Sequence, residues 1–159
     1  MNTLIVHDSS LGNTERIARS IGDGLTAFGE VRVVRVAEAA LDPPPDLLLV
    51  GGPTQRHRAS PGLTELLRGL PRRSLRGVRA ATFDTRYRMS RLLIGSAAVE
   101  ATRRLERAGC QVLPSQSFFI VRDRPPEGEK RRHALEQLEP GELDRARQWA
   151  AGLAVSRGG

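Results

Sequence analysis

The segment Ser9-Ser10-Leu11-Gly12-Asn13-Thr14 brings together three hydroxyls, one amide and one glycine, and contains no charged side chain. Hydroxyl and amide groups donate hydrogen bonds to anionic oxygens, and a glycine lets the backbone approach a ligand closely. A loop of this kind that runs straight into a helix adds the free N–H groups of the first turn. The helix dipole contributes a further ~0.3 to 1 kcal/mol towards a nearby anion, more when partly buried. The chemistry is that of a phosphate site made of neutral donors. It is not a P-loop, because the Gly-Lys-Ser or Gly-Lys-Thr ending is missing, and Gly12 lacks the partner glycines of a dinucleotide fingerprint. On composition alone, the same residues also suit a chain turn followed by a helix cap.

Other polar groups recur at two later points. Pro53-Thr54-Gln55-Arg56-His57-Arg58 follows a glycine pair, and Asp84-Thr85-Arg86-Tyr87 follows an apolar run. Asp84, Thr85 and Arg86 read either as ligand contacts or as an Asp-Thr turn beside a structural arginine. His57 reads as an exposed loop histidine, since a general acid needs a partner carboxylate that the neighbouring sequence does not supply. His7, Asp8 and Ser10 do not make a hydrolytic triad, because no Gly-x-Ser-x-Gly elbow is present. Cys110 is the only cysteine, so it excludes an intramolecular disulfide. With no Cys/His cluster at zinc-ligand spacing, a metal is not expected, and Cys110 reads as a buried small hydrophobe.

The elements that must hold these groups follow from periodicity. Thr3 to Val6 is a short apolar strand. Ile17, Ala18, Ile21, Leu25 and Phe28 then recur at helical spacing, with Gly29 as the C-cap. Val31, Val33, Val34 and Val36 suggest a second strand with Arg32 and Arg35 outward, and Pro43-Pro44-Pro45 stops any helix begun over Ala37 to Leu41. Asp46 to Gly52 is an unbroken apolar run ended by glycines, as in a central strand covered on both faces. Ser60 caps a helix that starts at Pro61 and turns Leu63, Leu66, Leu67 and Leu70 inward. Val78 to Phe83 is a fourth strand, and a long helix runs from about Leu92 to Ala108. Gln111 to Leu113 and Ser117 to Val121 supply a fifth strand, interrupted at Pro114. The stretch 122–140 is a charged, Pro-rich connection with a short helical turn around Ala134 to Leu138. The last helix spans Glu142 to Leu153, with Trp149 on its core face, and the tail 155–159 frays.

Strands alternating with helices over 159 residues predict one doubly wound α/β domain with a five-stranded parallel sheet. A chain of this length buries roughly 70% of the surface exposed when unfolded. Ligands of such sheets bind beyond the carboxyl ends of the strands. The three loops Asp8 to Thr14, Gly52 to Ser60 and Asp84 to Met89 therefore share one edge. No apolar run approaches the roughly 20 residues of a membrane helix, which points to a cytoplasmic protein.

The formal net charge of +7 raises nucleic acid, an anionic membrane or an acidic protein as partners. Lys130 is the only lysine, and the arginines are scattered in short pairs such as Arg72-Arg73, Arg103-Arg104 and Arg131-Arg132, with few aromatics among them for stacking. That pattern counts against nucleic acid, and an Arg-, Ala- and Gly-rich vocabulary is also what GC-rich coding produces.

Ser-x-x-Gly-Asn-Thr-Glu after an apolar strand, followed by Ile-Ala in the next helix, resembles the phosphate-loop signature of the flavodoxin family. Gly51-Gly52-Pro53-Thr54 resembles the start of that family's second flavin loop. Phe83-Asp84-Thr85-Arg86 and the Gly-Glu-Leu-Asp-Arg-Ala start of the last helix are similar to a bacterial branch of single-domain flavodoxin-like proteins. The resemblance implies a flavodoxin-like sheet of order 2-1-3-4-5 with FMN at its switch point, for which flavodoxins are the standing example. It implies phosphate contacts from Ser9, Ser10, Leu11, Gly12, Asn13 and Thr14. It implies ring or ribose contacts from Pro53, Thr54, Gln55, Arg56, His57, Asp84, Thr85, Arg86 and Tyr87, with His57 and Tyr87 on opposite ring faces. The function implied is electron carriage between redox partners, or a small flavin-dependent reductase acting on a small electron acceptor; an acidic partner would suit the basic surface. Three positions depart from the pattern: no aromatic follows Thr54, Leu11 replaces a common hydroxyl donor, and His7 stands where an aromatic is frequent. These leave open a second reading, a flavodoxin-fold binding or regulatory module without tight flavin binding.

Overall fold

The computed structural model describes residues 1–9, 12–54, 60–88, 97–122 and 136–156. Strands β1 (Asn2–His7), β2 (Glu30–Arg35), β3 (Leu47–Pro53) and β4 (Arg79–Tyr87) alternate with helices α1 (Asn13–Leu25), α2 (Pro61–Gly69) and α3 (Ala97–Arg107). Two parallel pieces, β5 (Gln111–Val112) and β6 (Gln116–Arg122), a short β7 (Glu136–Leu138) and α4 (Glu142–Val155) complete the chain. The sheet order is 2-1-3-4 followed by β6 and β7, with β5 also paired to β4.

The run Leu47-Leu48-Leu49-Val50 explains the layering, since period-2 alternation sends its side chains to both faces and all four are buried. Leu49 joins Ile5, Ile17, Ile21, Leu25, Phe83 and Phe118 in a core under α1 and α4. Leu48 and Val50 join Leu4, Val6, Leu63, Leu67 and Leu105 under α2 and α3. Trp149 of α4 packs edge-on against Phe118, with ring centroids 6.0 Å apart. Cys110 lies in the second core, where burial pushes its thiol up to about 11 and leaves it unreactive near neutral pH.

The fifth strand position is filled as its broken pattern suggests. β5 pairs with Arg79 and Ala80 and β6 with Phe83 to Tyr87, the break falling at Pro114, which has no N–H for a ladder bond. Four expectations need correction. The sheet is not purely parallel: residues 136–138 form β7, antiparallel to β6, with Leu138 opposite Ile120, where a helical turn was expected. Three residues are too few for a periodic signal, and the pairing that decides them is remote in sequence. Strand β4 continues through Asp84 to Tyr87, because β6 supplies ladder partners for this polar stretch. The helical pattern up to Phe28 divides into α1, ending at Leu25, and a 3-10 turn over Thr26–Phe28, closed by Gly29. Ser60 precedes α2 without capping it by its side chain. The first residues of the expected Leu92 helix, the connection 123–135 and the tail 157–159 lie outside the described residues.

Candidate functional site

The carboxyl ends of β1, β3 and β4 lie side by side, with Gly51 paired to both His7 and Phe83. A Cβ on Gly51 would stand 2.3 Å from the Phe83 ring, so only glycine lets that ring lie across β3. The Asp8 N–H donates to Gly51 O at 3.0 Å, holding the chain as it leaves β1.

Gly12 turns the chain into α1 with φ +83, a conformation that favours glycine although space around it is open. Gly12 N–H donates to Ser9 Oγ at 3.0 Å, and Arg16 N–H donates to Gly12 O at 3.0 Å. Glycine at the cap position brings no side chain of its own to the first N–H groups of α1, the end of a helix that favours an anion. Asn13 and Thr14 are buried at the helix start. Glu15 places a carboxylate in the same turn, and Arg19 at 2.8 Å and Arg35 at 3.6 Å offset its charge.

Thr14 Oγ1 lies 2.7 Å from Thr85 Oγ1, joining α1 to β4 across 71 residues of sequence. In a pair of hydroxyls one proton is spent on the bond, and the accepting hydroxyl keeps its own. Ser9 likewise accepts from Gly12 and keeps its proton. Both arrangements leave an O–H that can be donated outward, strengthened by the bond it accepts.

Thr54 bridges β3 and β4, its N–H donating to Thr85 O at 3.0 Å and its Oγ1 to Asp84 Oδ2 at 2.5 Å. Arg86 reaches the same carboxylate oxygen at 3.5 Å and donates to Ser117 Oγ at 2.6 Å. Strand alternation divides the expected contacts: Thr85 lies with Thr14 on the α1 face, whereas Asp84 and Arg86 lie with Ser117 on the α3 face. The three are strand residues, so the Asp-Thr turn expected as one reading is absent. Pro53, Thr54 and Tyr87 are half-buried at the strand ends. Ser10, Leu11, Gln55, Arg56 and His57 lie outside the described residues.

Three groups at this edge were not assigned from sequence. His7 is 3% exposed at the end of β1, and its Nδ1 has no hydrogen-bond partner among the described residues. Burial holds its imidazole below the ordinary histidine range; Glu15 and Asp8 oppose that and Arg35 and Arg19 add to it, so the ring is neutral near pH 7. Ser60 is 5% exposed, and its Oγ, without a partner among the described residues, lies 3.2 Å from where a Cβ on Gly52 would stand. Ser117 anchors Arg86. A polar residue just before Phe118 in an alternating strand is the one sequence signal for it.

No protein-family model matches the sequence, and no curated protein matches it. Solved structures do. The chain is similar to a short-chain flavodoxin associated with a non-canonical PDU bacterial microcompartment, with TM-score 0.72 and 16% identity over 99% of this chain and 100% of that one. It is similar to oxidised flavodoxin 2 from Bacillus cereus, with TM-score 0.70 and 22% identity over 97% of each chain. It also matches 35% of the flavodiiron protein from Giardia intestinalis, with TM-score 0.67 and 16% identity over 96% of this chain. At these identities the likeness establishes the fold, which is flavodoxin-like.

Proposed function

We propose that this chain binds FMN at the carboxyl edge of its sheet and carries electrons between redox partners, or acts as a small flavin-dependent reductase on a small electron acceptor. The observation that supports this most is the start of α1: a helix N-terminus entered through Gly12, whose position carries no capping side chain, with the Ser9 hydroxyl accepting from Gly12 N–H and so free to donate, and the Thr14–Thr85 hydroxyl pair keeping one proton for a ligand. That donor set fits a phosphate monoester. Its charge is met by neutral hydrogen bonds and the helix end, since no described side chain of the loop is cationic.

In this reading Ser9, Ser10, Gly12, Asn13 and Thr14 hold the phosphate, and Leu11 contributes its backbone. Thr85 positions Thr14. Pro53, Thr54, Gln55, Arg56, His57, Asp84, Arg86 and Tyr87 flank the ribityl chain and ring. The Thr54–Asp84–Arg86 bonds fix the spacing of the second and third loops. FMN, when bound, supplies the redox chemistry, and the chain supplies orientation and electrostatics. A cytoplasmic setting belongs to the same reading, supported by the single unpaired cysteine.

Purified protein tests it. A yellow preparation, or quenching of FMN fluorescence on titration, is the expected result. A second reading, a flavodoxin-fold binding or regulatory module, is favoured by Gln55-Arg56-His57-Arg58, which offers no Trp, Tyr or Phe to stack on the ring, only the smaller imidazole of His57. Colourless protein that leaves FMN fluorescence unchanged would support that module and sink the first reading.

A further inference from the structure

We propose that the opposite edge of the sheet, where β4 begins and α3 ends, is a docking surface for an acidic face of a partner protein, gripped by Arg72, Arg73, Arg76, Arg103 and Arg107. This proposal does not depend on flavin binding.

The fold assembles the patch from two stretches that are separate in sequence. Arg73 N–H donates to Arg107 O at 3.1 Å, and Leu75 N–H donates to Ala108 O at 2.8 Å. Where a Cβ on Gly109 would stand, the Cα atoms of Arg76 and Arg73 are 3.1 and 3.3 Å away. Leu75 is buried between the arginines and pins the 71–76 turn to the core. Arg103 lies one helical turn before Arg107 on the same side of α3. All five arginines are exposed.

Arginines at a helix C-terminus commonly cap its last carbonyls. Here those carbonyls are already taken by backbone donors. Arg104 O accepts from Ala108 N, Leu105 O from Cys110 N, Glu106 O from Gly109 N, Arg107 O from Arg73 N and Ala108 O from Leu75 N. The guanidinium groups therefore have no capping duty. Nor do they pair with carboxylates: elsewhere Arg19, Arg35, Arg86, Arg88, Arg104, Arg145 and Arg147 each have an acidic partner. The five patch arginines have none among the described residues, and Glu106 is the one carboxylate in stretches 71–79 and 103–109. Clustered like charges with no internal use are what electrostatic docking requires.

The chemistry favours protein carboxylates. Planar guanidinium forks match carboxylates bidentately. Stretches 68–79 and 100–112 contain no aromatic residue on which a base could stack. The groups also gather at one helix end and one turn, and Glu100 and Glu106 lie exposed among them on α3, which suits a phosphate backbone poorly. A partner held here leaves the carboxyl edge free.

The test is fluorescence anisotropy of a dye-labelled oligoglutamate peptide with the full chain, without FMN. Binding is expected at low salt and should fade as screening shortens the Debye length to about 8 Å near physiological ionic strength. Arg76→Gln with Arg107→Gln is expected to weaken it about tenfold or more, whereas Arg32→Gln on β2 with Arg147→Gln on α4, of the same net charge, should change it by less than about twofold. Equal losses in the two doubles would assign the binding to diffuse charge and overturn the proposal. So would no binding at low salt, or a DNA duplex of matched charge binding more tightly through the same two arginines. FMN titration of the Arg76/Arg107 double is expected to match the unmodified protein, so a failed flavin reading and a failed docking reading give different results.

Discussion

The two edges of the sheet handle charge in opposite ways. At the carboxyl edge the described donors are neutral, namely Ser9, the Thr14–Thr85 hydroxyl pair and the N-terminus of α1, and hydrogen bonds hold the hydroxyls in place. At the amino edge the helix end is closed by backbone bonds, and five exposed arginines have no carboxylate partner among the described residues. The first is a preorganised site for one small anion; the second is a field for an extended acidic surface. Binding at the first edge should depend on geometry and little on salt, and binding at the second on charge and salt.

The largest effect expected from disturbing this contrast is on FMN affinity. Ser9→Ala with Thr14→Ala removes two donors worth ~1 to 3 kcal/mol each, so titration should show affinity lower by about a hundredfold. Unchanged affinity would remove the phosphate site from this loop. Leu75→Ala at the other edge deletes a buried side chain and should cost ~2 to 5 kcal/mol in denaturant unfolding. Under conditions where the variant remains folded, its FMN affinity should be unaltered; a matching loss of FMN binding would erase the functional division between the edges.

The positioning role of Thr85 carries a smaller effect. Thr85→Val keeps the shape but removes the bond to Thr14, which should cost about tenfold in FMN affinity and little in riboflavin affinity, with Thr85→Ser restoring both. Equal losses for FMN and riboflavin would assign Thr85 to the ring. The smallest effect is the acid sensitivity of His7. Its folded pKa is depressed, so the unfolded chain binds the proton more readily, and the stabilisation is complete above the ordinary value of 6.5 and is lost as pH falls through the folded value. Melting temperature followed down from pH 7 should fall less for His7→Phe than for the unmodified chain. Identical slopes would mean that His7 is not held neutral.

Much of this was legible in the sequence because it is local. The run Leu47 to Val50 identifies itself as a doubly covered strand, and Gly12 followed by the Ile17, Ala18, Ile21 and Leu25 spacing identifies a loop entering a helix. What was not legible depends on partners far along the chain. Asp84 to Tyr87 has turn-forming residues, yet it is strand because β6 lies beside it. The Thr14–Thr85 bond joins residues 71 apart. Ser60 has a capping residue's identity without the capping bond, since that depends on backbone geometry at the loop's exit. Arg72-Arg73 and Arg103-Arg104 read as scattered pairs until the 71–76 turn and the end of α3 are brought together. Composition alone therefore suggested a bias where the fold makes a patch.

The most direct test of the central claim compares FMN with riboflavin in parallel fluorescence titrations of the unmodified protein. The phosphate should improve affinity by about a hundredfold or more, through several hydrogen bonds to a charged group at ~1.5 to 3 kcal/mol each. Equal affinity for the two flavins, or binding of neither, would contradict the account of Ser9, Gly12 and Thr14 as a phosphate site.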